Sequence, residues 1–400
     1  MSNTAPRVVV PATLLAMLVA GLGMVGPFAI DSFFPAFPTM ARVLDATAAE
    51  MQLTLSAYLL GFALMSLVHG PLSDALGRRP IVLVNLWIFA IANVGAALST
   101  SLETMVAWRL LQGLAGGAGT IIGRAIVRDC LDGVAAQRLM SRITLIFLIG
   151  PAIAPVIGGW IYVQFGWQAI FWFVAGFAAL LALTVAWKLP ETLPVENRVA
   201  AHPRELIAGL LEVARDRVAL RLVIAAACNF GGIFLFIGAS AEISYELLRL
   251  EPDQFGRYFW LLISGFLIGS QLSGWLAGKI SAGAQLKLAY ALMGSAVLLN
   301  LLQGMLIDQH VWWLYTLPLA LYAVGSSLGF PVLTLLLLDR HERLRGSAAS
   351  LQTFVSLMLN ALSTALLVPL VFHSALLLAL AQAALALVGA LFSYRYLRHS

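Results

Sequence analysis

The chain has 400 residues, 61% hydrophobic and 11% charged, with a mean hydropathy of +0.92. Soluble domains carry about 25% charged residues, so a soluble enzyme is excluded and an all-α membrane protein is expected. The formal charge of +5 comes from cations gathered in alternate loops, which calls for membrane orientation rather than a nucleic-acid partner.

At about 20 apolar residues per crossing, twelve spans are predicted: 8–37, 49–71, 80–99, 104–128, 139–163, 168–188, 219–241, 256–279, 283–306, 311–338, 347–370 and 373–394. The first follows a lone Arg7 as a signal peptide would, but it runs on with no small-x-small cleavage site and reads as a retained helix. It carries one carboxylate, in Pro27-Phe-Ala-Ile-Asp31-Ser-Phe-Phe-Pro35. The fourth span carries a cation, in Met105-Val-Ala-Trp-Arg109-Leu-Leu-Gln112-Gly113. A guanidinium at that depth costs about 2.5–3.5 kcal/mol even on insertion scales, so a working role or a set of buried acceptors must offset it. Asp31 reads either as a cavity acid or as a solvated group near the outer interface.

With both termini in the cytoplasm, all of the 24 Lys and Arg lie inside except Arg42, Arg249 and Arg257 outside and Arg109 within the membrane, as the positive-inside rule demands. The segment 189–218 divides the chain into an N-terminal bundle, 1–188, and a C-terminal bundle, 219–400. Apolar residues at helical spacing from Pro203 to Val213 predict an amphipathic cytoplasmic helix in this linker. A faint repeat relates the halves. Gly70-Pro-Leu72-Ser-Asp74-Ala-Leu-Gly77-Arg78-Arg79-Pro80 follows the second span, and Gly274-Trp-Leu276-Ala-Gly-Lys279 follows the eighth. Two related six-helix bundles around a central cavity are the parallel-repeat plan of large secondary transporters.

Other chemistry is poorly represented. Cys130 and Cys228 lie in opposite halves, and two thiols make no metal site. The six histidines, His69, His202, His310, His341, His373 and His399, have no ligand-like spacing. Gly113-Leu-Ala-Gly-Gly-Ala-Gly119 lacks the Lys-Ser of a phosphate loop and sits in an apolar helix. Neither a cofactor nor a metal is expected, and no cluster of catalytic residues marks an enzyme.

The motifs meet a family here. Gly70 to Pro80 closely resembles the G-x-L-a-D-x-x-G-R-[RK] loop of the major facilitator superfamily, and Arg109-Leu-Leu-Gln112-Gly113 resembles its R-x-x-q-G motif. Gly150-Pro-Ala-Ile-Ala154-Pro155-Val-Ile-Gly158-Gly159 is similar to the antiporter signature G-x-x-x-G-P-x-x-G-G, with Ala154 in place of one glycine. Together with Asp31 to Pro38 and Leu189-Pro-Glu-Thr, these are most similar to twelve-helix drug:proton antiporters of the Bcr/CflA type. The resemblance implies the major facilitator fold and an inner-membrane exporter, a monomer by default, exchanging a proton for a small lipophilic compound of the phenicol or bicyclomycin-like type. A proton-coupled carrier of a physiological metabolite, such as an amino-acid derivative or sugar, is the alternative.

Within that reading Asp31 and Arg109 are the proton-coupling pair, because an acid's proton affinity changes as its surroundings alternate. Some related antiporters carry a second acid on the first helix, where this chain has Gly23. Tyr58, Gln112, Asn229 and Phe236, with Phe230 and Phe234, are candidate substrate contacts in an apolar cavity. Gly70, Asp74, Gly77, Arg78, Arg79 and Asp129 form a candidate conformational latch. In it Asp74 meets the positive N-terminus of a helix starting near Gly346-Ser347-Ala348, and Arg78 pairs with Asp129. Gly150, Pro155, Gly158 and Gly159 permit a bend and a close helix approach in the fifth span. No charge is read at mid-helix depth in the second half, so coupling chemistry is expected in the first.

Overall fold

The computed structural model describes residues 10–131, 133–198, 203–307 and 311–398; Arg7, His202, His310 and His399 lie outside them. Lipid offers no partner for backbone N–H and C=O groups, so apolar crossings must close their hydrogen bonds within each segment. The described chain is accordingly helical, with no strand. The long helices are α1 (Ala12–Asp31), α2 (Ala48–Ser66), α3 (Arg78–Ala97), α4 (Leu102–Cys130), α5 (Gly133–Phe165), α6 (Trp167–Lys188), α7 (Pro203–Arg215), α8 (Arg217–Gly238), α9 (Gly256–Leu276), α10 (Ala282–Leu306), α11 (Trp312–Arg340), α12 (Arg345–Leu362) and α13 (Ala375–Arg398). All but α7 cross. Eleven are long and apolar enough among the described residues, and the twelfth, α5, contributes the apolar stretch Ile149–Phe165.

Three spans differ from the sequence reading at their ends. The first is broken: α1 stops at Asp31, a 3-10 turn covers Phe34–Ala36, and a short helix runs Phe37–Val43. Pro35 supplies no N–H to the carbonyl of Asp31, where α1 stops, and Pro38 sits in the first turn of the short helix, where a missing N–H costs nothing. The second closes at Ser66, and a separate helix, His69–Leu76, carries the loop motif. The seventh runs on past residue 241, because Ser240–Glu242 is helical and Ile243–Leu247 forms a π-turn.

Neighbouring crossings alternate in direction. The loop motif, the linker and the outer ends of α1 and α13 therefore share one end of the bundle, here the motif end; the opposite end is the far end. The two halves use the same pairings. α2 packs on α4, α3 on α4 and α6, and α1 on α4, α5 and α6, while α9 packs on α11, α10 on α11 and α13, and α8 on α11, α12 and α13. Close backbone approaches recur at matching places as well. A Cβ at Gly61 would stand 2.5 Å from Leu110 O, and one at Gly265 would collide with Ala320 O. Small residues let these backbones touch, which is how helices associate without a hydrophobic drive between them. The seam between halves is α2 on α12 and α5 on α9, two contacts that the pseudo-twofold axis exchanges.

The linker helix α7 docks on the second half. Val213 is buried with Ala219, Leu222, Leu337 and Ala348, while Ile207 and Leu211 stay exposed. Asp216 then caps α8 through the N–H groups of Val218 (2.9 Å) and Ala219 (3.4 Å), and it receives Arg340 Nη2 at 3.1 Å with His341 Nε2 at 3.2 Å. Burial acts to raise the Asp216 carboxyl, but hydrogen bonds from Arg340 and the two amides outweigh it and hold the group below the usual carboxylate range. A depressed folded value means stability present above the unfolded pKa and lost as pH falls through the folded one. Thermal melts of wild type and Asp216→Asn should differ at neutral pH and begin to draw together only as pH falls below about 4, the free aspartate value.

Candidate functional site

Arg109 is fully buried on α4, and its surroundings follow from how α1 ends. The last four carbonyls of a helix lack intrahelical donors. Ser32 Oγ donates to Phe28 O, and Arg109 Nη1 donates to Ala29 O at 2.8 Å. Arg109 also donates through Nη1 to Gln112 Oε1 (2.6 Å), one helical turn away on its own helix, and through Nε to Thr54 O on α2 (3.2 Å). Its guanidinium lies between the rings of Phe33 (4.3 Å) and Tyr58 (4.8 Å), a geometry that favours a cation over the ring faces. Gln112 Nε2 completes the set by donating to Ala92 O on α3 at 3.4 Å. One guanidinium thus ties together α1, α2 and α4. The sequence-predicted Arg109, Gln112 and Tyr58 are brought into contact.

Asp31 is 4% exposed and closes α1. Arg109 does not pair with it. Among the described residues its carboxylate has no hydrogen-bond partner. It shares a face of α1 with Met24 and Pro27, at spacings of seven and four. That is the face on which α5 packs, since a Cβ on Gly150 would meet Pro27 Cγ at 2.9 Å and Met24 Sδ at 3.0 Å. Further along, a Cβ on Gly158 would collide with Ser32 O, while one on Gly159 would reach Pro252 O of the second half at 3.0 Å. Pro151 and Pro155 lie within α5 between these contacts. The antiporter-like run is therefore the surface of α5 that presses on the Asp31 segment.

At the motif end Arg78 Nε bonds Asp129 Oδ2 at 3.1 Å, and Nη1 bonds Ser73 Oγ at 2.7 Å. Asp74 does not meet the α12 start expected from the sequence. It pairs instead with Arg78, across the Gly77 turn at the start of α3, and is 46% exposed. Gly70 and Gly346 both have open space where a Cβ would stand.

A residue that sequence reading missed organises this cluster. Glu191, in Leu189-Pro-Glu-Thr, accepts the first amides of α3, Arg78 N (2.9 Å) and Arg79 N (3.3 Å), while Thr192 Oγ1 donates to Asp129 at 3.1 Å. Carboxylates are favoured at a helix N-terminus. Gly77 is needed for that approach. Its φ of +105° suits glycine, and a side chain there would strike Glu191. Arg79 Nη2 holds Ala186 O at 2.6 Å.

Two of the expected substrate contacts meet partners inside the second half. Asn229 Nδ2 donates to Tyr290 OH on α10 at 2.9 Å, and its amide abuts Gly389 on α13, on the side of α8 turned away from the first half. Phe236, seven residues on, shares that face. Asn229→Ala should therefore lower thermal stability by about 1 kcal/mol, the worth of one hydrogen bond, and leave the pattern of transported compounds unchanged in an uptake assay. Phe230 and Phe234 stack at 6.0 Å, and Phe230 packs on Phe266 of α9 at 6.3 Å.

Among the described residues four hydrogen bonds join the halves, and all lie toward the far end. Gln52 Nε2 donates to Gly238 O (3.1 Å) and Glu242 Oε1 (3.0 Å), Ser56 Oγ meets Thr364 Oγ1 (2.7 Å), and Tyr245 OH donates to Pro35 O (2.7 Å). A cavity of about 150 Å³ lies beside them, lined by Phe37, Met51, Glu242, Tyr245 and Glu246 among others; neither Asp31 nor Arg109 lines it. Glu242 is a buried carboxylate of the second half, where the sequence reading looked for none. The helical column simply continues past the expected span end at 241.

The profile of the Major Facilitator Superfamily matches residues 13–364. The chain belongs to that superfamily. Within it, the bicyclomycin resistance protein homolog of Haemophilus influenzae is 31% identical over 281 residues, 70% of this chain and 71% of the relative. Multidrug resistance protein D of Escherichia coli is 29% identical over 344 residues, 84% of each chain. The xylose transporter XylE of Escherichia coli, solved in a partially occluded inward-open conformation, superposes with a TM-score of 0.75 over 96% of this chain and 97% of that one; at 13% identity it shows the fold alone. A multi-pass membrane transporter of this superfamily follows directly.

Proposed function

We propose that the chain is a proton-driven exporter of small lipophilic compounds, of the phenicol or bicyclomycin-like type, working as a monomer in a bacterial inner membrane with both termini cytoplasmic. The observation that carries this is Asp31: a buried carboxylate without a partner among the described residues, held between a cation-braced α1 terminus and the glycine face of α5. Such a group changes its proton affinity whenever its surroundings move between wet and dry. The names of the relatives support drugs as the cargo.

On this reading the motif end is cytoplasmic and the structure is inward-facing, since the hydrogen bonds joining the halves lie at the far end. The cluster of Asp74, Arg78, Asp129 and Glu191 is then a latch waiting for its partner. In the outward-facing state Asp74 swings to the α12 start, into the space now open around Gly70 and Gly346. The segments 1–188 and 219–400 move as the two bodies, and 189–218 connects them. Inverted vesicles with an imposed pH gradient test the function. Addition of chloramphenicol or bicyclomycin should release protons from the vesicle lumen, whereas proton movement driven only by a sugar or amino-acid derivative would replace this reading with metabolite carriage.

A further inference from the structure

The far-end cavity exposes an arrangement the transport reading does not use. Gln52 on α2 and Glu242 beyond α8 face each other across the seam, joined at one corner by Nε2 to Oε1 at 3.0 Å. The remaining oxygens of the two groups, Gln52 Oε1 and Glu242 Oε2, are both buried and both without a partner among the described residues. Each of these two oxygens is an acceptor when the carboxyl is ionised, so neither can satisfy the other. One hydrogen on Oε2 changes that: an acid and an amide then close a ring of two hydrogen bonds. Glu242 is 5% exposed, yet it lines a cavity with the exposed Glu246, which gives protons a path from the far-end water.

We propose that Glu242 is a second proton-binding site, supplied by the C-terminal half, whose protonated side chain closes an acid–amide ring with Gln52 and holds the far end shut. The proposal rests on the reading of the chain as an alternating-access carrier whose far end is outside. The balance is simple. A proton from the external water adds to Oε2, the new O–H donates to Gln52 Oε1, and the Nε2 to Oε1 bond is kept. Loss of that proton leaves two oxygens opposed in a dry seam, and the halves part there. Other ionisable groups at this end include Glu246, Tyr245 and Glu251 on or just after the same segment, Arg42 on the Phe37–Val43 helix, Glu50 on α2, Glu103 on α4 and Tyr162 on α5, whose hydroxyl meets Thr39. Tyr245 is engaged with Pro35 O, Arg42 with Thr39 and Glu50 with Thr47. The neighbouring α12 side offers the hydroxyl of Thr364. External acid therefore favours the inward-facing state, which is the return step an exporter needs after releasing its cargo.

Spin labels at Val43 and Glu251, in the full chain with Cys130 and Cys228 replaced by serine, report the far-end separation by double electron–electron resonance. Asp31→Asn serves as the background, which removes that carboxyl's own titration. The ratio of closed to open populations should rise as pH falls, by up to about tenfold per unit for one proton. Glu242→Gln, whose amide N–H replaces the acid O–H, should stay closed at every pH. Gln52→Leu should open and lose the pH response. A Glu242→Gln chain that still follows the parent pH curve, or that opens, overturns the proposal. Because the readout needs no drug, failure of export with the pH response intact removes the export reading and leaves this site standing.

Discussion

Asp31→Asn should reduce drug-dependent proton release in inverted vesicles to the level of vesicles lacking the protein, while expression and thermal stability stay at wild-type values. The amide has the shape of the carboxyl, and no described partner depends on its charge, so folding has nothing to lose. Coupling loses its titrating group. The measurement pairs a pH-sensitive dye inside the vesicles with a melting curve of the purified chain. Full coupled export by the variant would move the coupling proton elsewhere, and Glu242 would be the first place to look.

The second large effect belongs to Arg109. Arg109→Ala removes three hydrogen bonds from a charged donor, to Thr54 O, Ala29 O and Gln112 Oε1, and leaves the Phe33 and Tyr58 rings facing a void. Hydrogen bonds to charged groups are each worth about 1.5–3 kcal/mol in soluble proteins, so this variant should unfold at distinctly lower temperature and lose transport. Arg109→Lys keeps the charge but not the planar fork that reaches two helices at once. It should recover part of the stability and little of the transport. Equal melting curves for Arg109→Ala and wild type would show that the arginine is no brace, and a Lys variant with full transport would show that charge alone suffices.

The architecture was legible because membrane crossings announce themselves by length and hydropathy, and because the loop motif and the antiporter run have fixed spacing next to span ends. Arg109 and Gln112 were legible as a pair, being three residues apart on one helix. Facing was not legible for Asn229 and Phe236. A helix apolar on every side has no stripe to say which face meets the other half, so only the contact with Tyr290 and Gly389 orients it. Glu191 escaped because its partners, the first amides of α3, are more than a hundred residues away. Glu242 escaped for a smaller reason: apolar periodicity weakens at Gly238-Ala-Ser-Ala, and a span ended there turns a seam carboxylate into a loop residue. Asp74 was expected across the seam, where the motif alone does not say which of two alternating states a single structure occupies.

Consecutive residues of α5 join two distant matters. Gly158 abuts the backbone just after Asp31, and Gly159 abuts Pro252 of the opposite bundle. The helix behaves as a lever whose two arms are one peptide unit apart. On the proposed alternating-access reading, a rocking of the opposite bundle is delivered to the main chain beside the acid with almost no gearing between. Lengthening either arm, by alanine at Gly158 or Gly159, would jam the lever without touching a single ionisable group.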